Sequence, residues 1–208
     1  MDERIEFVKD NLFLPDYFSD NQTLYDLHER KESGKSVLKV TLNSLDNLCI
    51  EDFDNSKKCG FFKQDREFGM QKSVDHVIFQ NCSGNCTLHL IEMKKTVGSE
   101  TFKGVKRKVR SSYLNALAIA VALGITITQT IAYTSFLELK FDTEADTNSN
   151  PQIYKPMLGE RAIDVKKDEW DKDLMHINLG KTITIRHCPI QMFDSGEEMT
   201  GDLDLTST

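Results

Sequence analysis

The sequence predicts a mixed α/β protein, with a helix laid across a sheet that holds both antiparallel and parallel strand pairs. Three stretches carry that reading. Residues 74–80 and 87–94 are two apolar arms around a six-residue turn with Ser83-Gly84-Asn85 at its tip, the composition of an antiparallel hairpin. Residues 99–123 follow as one long helix. Residues 125–135, ITITQTIAYTS, are β-branched and return as a strand beside the hairpin, which makes the helix a crossover covering one sheet face.

The hairpin also carries the chemistry. Closing the turn by pairing Gln80 with Thr87 sets Asp75 directly across from Glu92. Alternation puts Val77, Phe79, Leu88, Leu90 and Lys94 on the same face. Two carboxylates with Cβ atoms roughly 5 Å apart repel each other and weaken a sheet unless something binds between them. Oxygen-only ligands suit a hard divalent cation, Mg²⁺ or Mn²⁺. Lys94, one step along, is placed to orient or deprotonate a metal-side water, or to offset charge on a phosphate under attack.

Asp75, followed by Glu92-Met93-Lys94 at the end of an apolar strand, resembles the D…(D/E)xK core of the PD-(D/E)xK nuclease superfamily, over residues 36–135. Val74 stands where the family name has proline, and the glutamine-tyrosine motif of the RecB-like branch is absent after Lys94. The resemblance implies a restriction-endonuclease-like αβββαβ core with Asp75, Glu92 and Lys94 as catalytic residues. It also implies Mg²⁺ or Mn²⁺ held by Asp75, Glu92 and the backbone carbonyl of Met93. An accessory helix glutamate is often found upstream in this family; Glu29 and Glu32 are candidates, with a solvated helix face the plainer reading of both.

The helix over residues 99–123 should start at Ser99 as N-cap, with Glu100 favourable in the first turn, and end at Gly124. Lys103, Lys106, Arg107 and Arg110 follow i, i+3, i+4, i+7 as one basic stripe, next to an apolar stripe of Phe102, Val105, Val109 and Tyr113. A solvated face is the plain explanation of such a stripe. Against it, no acid stands at the i+4 positions, so the four cations are candidate nucleic-acid contacts. From Leu114 onward the helix is apolar nearly all round and must be buried.

Composition sets the class. The chain has 208 residues, 39% hydrophobic and 28% charged, enough for a sizeable core. Its net charge of −7 opposes bulk attraction to nucleic acid, but five of those negative charges sit in residues 194–208, leaving −2 for residues 1–193. No segment is long and apolar enough to span a bilayer, and the first residues are acidic where a signal peptide needs basic ones, so a cytoplasmic location is expected. Five cysteines at irregular spacings fit free thiols; Cys82 and Cys86, with Cys59 and a histidine, are a weaker zinc candidate.

The rest of the chain reads as follows. Residues 1–35 form an N-terminal helical segment, with helices over 2–13 and 21–32. Residues 36–141 are the nuclease-like core, with strands over 37–42 and 48–53, an ambiguous stretch at 61–71 and a separate strand over 137–141. Residues 142–193 are an appendage: a loop over 142–151, a short helix over 166–173, and a hairpin of 175–178 with 182–187 in which His176 and His187 meet. The acidic tail, 194–208, should be disordered.

These readings together predict a metal-dependent nuclease that hydrolyses phosphodiester bonds, with DNA the expected substrate. Homo-oligomers or a partner subunit are compatible with it, and phage or plasmid defence is the family's habit. The alternative is a non-catalytic nucleic-acid-binding or assembly subunit that keeps the fold. A small-molecule enzyme is disfavoured, because no glycine-rich phosphate loop, GxSxG or HExxH motif is present.

Overall fold

The computed structural model describes residues 3–12, 18–31, 34–55, 72–141, 165–196 and 198–207. The expectations for residues 61–71 and 142–151, for Glu32 and for Cys59 lie outside the described residues. Helix α1 (Glu3–Leu12) is followed by strands β1 (Phe18–Asp20), β2 (Leu24–Lys31), β3 (Gly34–Leu42) and β4 (Asn47–Ile50). Next come β5 (His76–Gln80), β6 (Cys86–Val97), helix α2 (Ser99–Leu123) and β7 (Ile127–Leu139). Helix α3 (Val165–Asp171), β8 (Leu174–Asn178), β9 (Thr182–Gln191), β10 (Phe193–Asp194) and β11 (Met199–Leu205) complete the order.

The strands form two mixed sheets. A seven-stranded sheet has the order β1-β4-β5-β6-β7-β9-β8, and a four-stranded sheet the order β10-β11-β3-β2. The helices cover one face of the larger sheet: Ile5, Val8, Phe102, Val109 and Trp170 pack on Val77, Phe79, Leu88 and Leu90. The smaller sheet covers the other face, where Leu27, Leu38 and Val40 meet Ile78, Ile91 and Met93. A sheet covered on both sides needs apolar residues at odd and even positions alike, which is why β5 is buried throughout.

Within the larger sheet, β4, β5 and β6 are an antiparallel meander, α2 crosses over, and β7 lies parallel to β6. The hairpin register is the expected one: Gln80 opposes Thr87 and His76 opposes Ile91. Helix α2 ends where predicted, at Gly124, whose φ of 75° is the left-handed conformation that glycine adopts without strain. Its N-cap is Gly98 rather than Ser99; Gly98 is extended and makes no side-chain cap bond.

Five expectations are corrected. Residues 114–123 of α2 are not buried all round: Ala116, Ala120 and Leu123 are buried while Ala118 and Val121 are exposed, because only one side of the helix meets the sheet. Residues 24–31 are a strand, not part of a second helix, because their true period is two: Tyr25 and Leu27 point inward while Leu24, Asp26 and His28 are exposed. Residues 137–139 continue β7 rather than starting another strand. The C-terminal region is no appendage, since β9 pairs with β7 and extends the central sheet. Nor is the stretch after 193 disordered as a whole: β11 lies parallel to β3, with Leu203 and Leu205 buried and Asp202 and Asp204 exposed. The acids had hidden a half-buried alternation.

Leu205 is 1% exposed. Leu205→Ala should therefore destabilise the protein by about 2–5 kcal/mol, measured by equilibrium urea unfolding. A change under about 0.5 kcal/mol, the range of surface substitutions, would show that β11 adds nothing to the core.

Candidate active site

Asp75 immediately precedes β5, and Glu92 lies across from it on β6, both on the face beneath α2. Local bonds fix Asp75 from three sides. The amide of Val74 donates to Ser112 Oγ on α2 at 2.8 Å, and the amide of Phe53 donates to the Asp75 carbonyl at 2.8 Å. The Asp75 carboxylate accepts the Met93 amide on Oδ2 at 2.7 Å, satisfying β6 where β5 stops pairing with it. Asp75 is 1% exposed and Glu92 is fully buried.

Two ammonium groups meet this pair. Lys108 Nζ, from α2, lies 3.3 Å from Asp75 Oδ1 and 2.7 Å from Glu92 Oε1, and donates to Glu92 Oε2 at 2.9 Å. Lys94 Nζ forms an ion pair with Glu92 Oε1 and donates to the Met93 carbonyl at 2.9 Å. Glu92 Oε1 thus takes two ion pairs but no well-directed hydrogen bond. Burial pushes the Glu92 carboxyl above the usual carboxylate range, and the Asp75 charge adds to that; Lys94 and Lys108 act in the opposite direction. Charges this deep persist only when paired.

The structure therefore brings Asp75, Glu92, Met93 and Lys94 together. It does not leave Lys103, Lys106, Arg107 and Arg110 as one open basic face. Lys106 Nζ is bound to both oxygens of the buried Glu169 carboxylate on α3, at 2.8 and 2.7 Å, and Arg110 is itself buried. Lys103 and Arg107 are half-exposed. The residue that sequence reasoning missed is Lys108. Its signal was present: it stands three residues after Val105 and four before Ser112, on the helix face that packs inward.

The same face continues toward β9. Parallel pairing sets Thr134 of β7 beside Glu92, and Thr134 Oγ1 shares a hydrogen bond of 2.9 Å with His187 Nε2. His187 is packed between Phe102 and Trp170, with ring centroids 5.2 and 5.0 Å away. It does not meet His176, whose register partner is Thr184, because β8 and β9 pair Leu174 with Arg186. Cys82 and Cys86 are buried free thiols.

Asp75, Glu92 and the Met93 carbonyl offer oxygen donors, the chemistry that a hard divalent cation takes. Among the described residues no three His, Cys, Asp or Glu side chains converge as a metal-binding group. Magnesium, however, is commonly held by one or two carboxylates, with waters and substrate phosphate completing the shell. Comparison of the chain with protein-family models, with curated proteins and with solved structures finds no match.

Burial pushes the His187 imidazole down to about 4 and that of His89, between the two sheets, to about 3. Both are neutral in the folded protein at neutral pH, while an unfolded histidine takes a proton near pH ~6.5. The unfolded chain then binds more protons, so the stabilisation is complete above that pH and is lost as pH falls toward the folded values. Denaturant titrations at several pH values should show a loss of about 1.4 kcal/mol per pH unit from each histidine. His187→Gln should remove one such share; an unchanged slope in that variant would exclude His187 as a contributor.

Proposed function

We propose that the chain is a metal-dependent phosphodiesterase acting on nucleic acid, with DNA the expected substrate. The observation that carries this reading is the convergence of two buried carboxylates, the Met93 main-chain carbonyl and two ammonium groups at one point of the sheet. An inert core has no need of such a cluster, because apolar residues at the same positions are often as stable or more so. Support also comes from the order of elements: the β4-β5-β6 meander, the crossover α2 and the parallel β7 follow the βββαβ part of a restriction-endonuclease-like core, with β1, β2 and β3 standing between α1 and the meander.

Asp75 and Glu92 would hold the divalent ion, with the Met93 carbonyl as a third oxygen. Bound there, the ion supplies polarisation of the scissile phosphate and acidification of the attacking water. The chain's own residues do the rest. The Met93 amide and the tie from Val74 to Ser112 keep the Asp75 carboxylate aimed beneath α2. Lys94, 27% exposed in its side chain, reaches the solvent edge of the site, where it orients the water or offsets charge on the phosphate. Helix α2 lies over the site and excludes bulk water from Glu92.

A second reading has an observation in its favour: Lys94 and Lys108 already neutralise both carboxylates, as a non-catalytic nucleic-acid-binding or assembly subunit would require. The two readings separate on metal. In the enzyme, Mn²⁺ raises the melting temperature and Asp75→Asn abolishes the shift.

Cleavage of plasmid, linear duplex, junction and single-stranded substrates, each with Mg²⁺, Mn²⁺ or EDTA, tests the proposal directly. Asp75→Ala and Glu92→Ala should lose cleavage and metal binding together. Lys94→Ala should lose cleavage by roughly 10²-fold or more with metal binding largely kept. Undiminished cleavage in Asp75→Ala would end the mechanism.

Substrate holding is expected from Lys103 and Arg107 rather than from the whole stripe. Lys103→Ala and Arg107→Ala should each lower the salt slope of DNA binding by about one. Lys106→Ala should instead lower the melting temperature, because it leaves the Glu169 carboxylate without its ammonium. A salt slope unchanged in the Lys103 and Arg107 variants would make α2 a solvated face.

A further inference from the structure

Lys108 holds the point at which the two carboxylates converge. Its Nζ is within 3.3 Å of Asp75 Oδ1 and donates to Glu92 Oε2 at 2.9 Å, so it contacts the same oxygens that would hold a divalent cation. Lys94 also touches two of those ligands, Glu92 and the Met93 carbonyl, but it does not bridge the two carboxylates and stands at the more exposed side of the pair. We infer that Lys108 is a built-in competitor of the divalent cation, and that cation binding at Asp75 and Glu92 displaces its ammonium toward the substrate phosphate. The inference rests on the metal-dependent reading above and adds a residue and a binding order to it.

Charge decides the direction of movement. The two carboxylates and two lysines are neutral as a set. Adding a dication with both ammoniums in place would set four positive charges against two negative in a buried site, where like charges repel strongly. One ammonium must leave, and the one lying between the ligands blocks the cation sterically as well. Lys108 is able to leave. Its side chain is 16% exposed, so one edge already reaches solvent, and four methylenes allow the head to move while the stem stays packed. Once moved, it still serves the reaction. Two carboxylates, a dication, two ammoniums and a doubly negative pentacoordinate phosphorus sum to zero, so the site with both lysines matches the charge of the transition state rather than that of the bound diester.

The prediction has an unusual sign, because removing a buried counter-ion should strengthen a binding site. Calorimetric titration of Mn²⁺, without nucleic acid, compares the unmodified protein with Lys108→Met, Lys108→Arg and Asp75→Asn. Lys108→Met should bind Mn²⁺ roughly tenfold tighter or more. Lys108→Arg should bind no tighter than the unmodified protein, and Asp75→Asn should lose binding. If the unmodified protein binds Mn²⁺ through Asp75 and Lys108→Met binds it equally or more weakly, Lys108 is only a structural counter-ion and the inference falls, while the metal reading stands. If no variant and no unmodified protein binds Mn²⁺, the metal reading falls and takes this inference with it. A measurement on the unmodified protein covers the case in which Lys108→Met fails to fold. Labelling by an amine-reactive reagent, read by mass spectrometry, should rise several-fold at Lys108 on saturation with Mn²⁺, with Lys106 on Glu169 as the internal reference. No rise at Lys108 overturns the displacement.

Discussion

A lysine between two buried carboxylates is the interaction on which the arrangement of this protein depends. The β5–β6 register makes Asp75 and Glu92 face each other, and nothing within the hairpin neutralises both. The neutralising charge has to come from outside it, and α2 brings Lys108 down onto the pair. That requirement explains why the inward face of α2 is not uniformly apolar. It runs from Val105 through Lys108 and Val109 to the buried Ser111 and Ser112, and Ser112 accepts the amide of Val74 next to Asp75. The helix is held over the site by the charges it covers and by the apolar half that follows.

The opposite face of the same sheet solves a different problem. The buried His76 ring nitrogens and Ser135 Oγ on this face have no hydrogen-bond partner among the described residues, whereas His89 shares hydrogen bonds with Gln80 and Tyr133, and Tyr25 donates to Asn47. Such networks stabilise only when every member has a partner. They also demand that the four-stranded sheet cover them, since water at this face would compete for each bond. Strand β11 contributes directly, because the Leu205 carbonyl accepts from Gln80 Nε2. One side of the central sheet thus carries charge beneath a helix, and the other carries neutral hydrogen bonds beneath a second sheet.

Much of the central part was legible from the residues. The turn composition and β-branched arms specified the hairpin, and closing its six-residue turn on Gln80 and Thr87 set the register. Helix α2 showed its end in Gly124, but its apolar second half is buried only along Ala116, Ala120 and Leu123, with Ala118 and Val121 exposed. Residues 24–31 were misread because Leu24 and Leu27 suggest a helical spacing, whereas the inward residues are Tyr25 and Leu27. The last strand was missed because aspartates at alternate positions look like an acidic tail until a partner strand claims the leucines between them.

The sequence by itself determined the pair of opposed carboxylates, the lysine beside them and the crossover helix, because these follow from short-range periodicity and turn chemistry. Only the tertiary structure decided which cations reach the carboxylates and which are spent elsewhere. A helical wheel places Lys106 and Arg110 on one stripe with Lys103, yet α3 brings Glu169 against Lys106 and the packed chain buries Arg110. Lys108 falls outside that stripe and reaches the site because α2 lies across the end of β5. Whether a lysine is solvent face, structural partner or counter-ion of the carboxylate pair depends on what stands opposite it, and that is set by contacts between residues far apart in the chain.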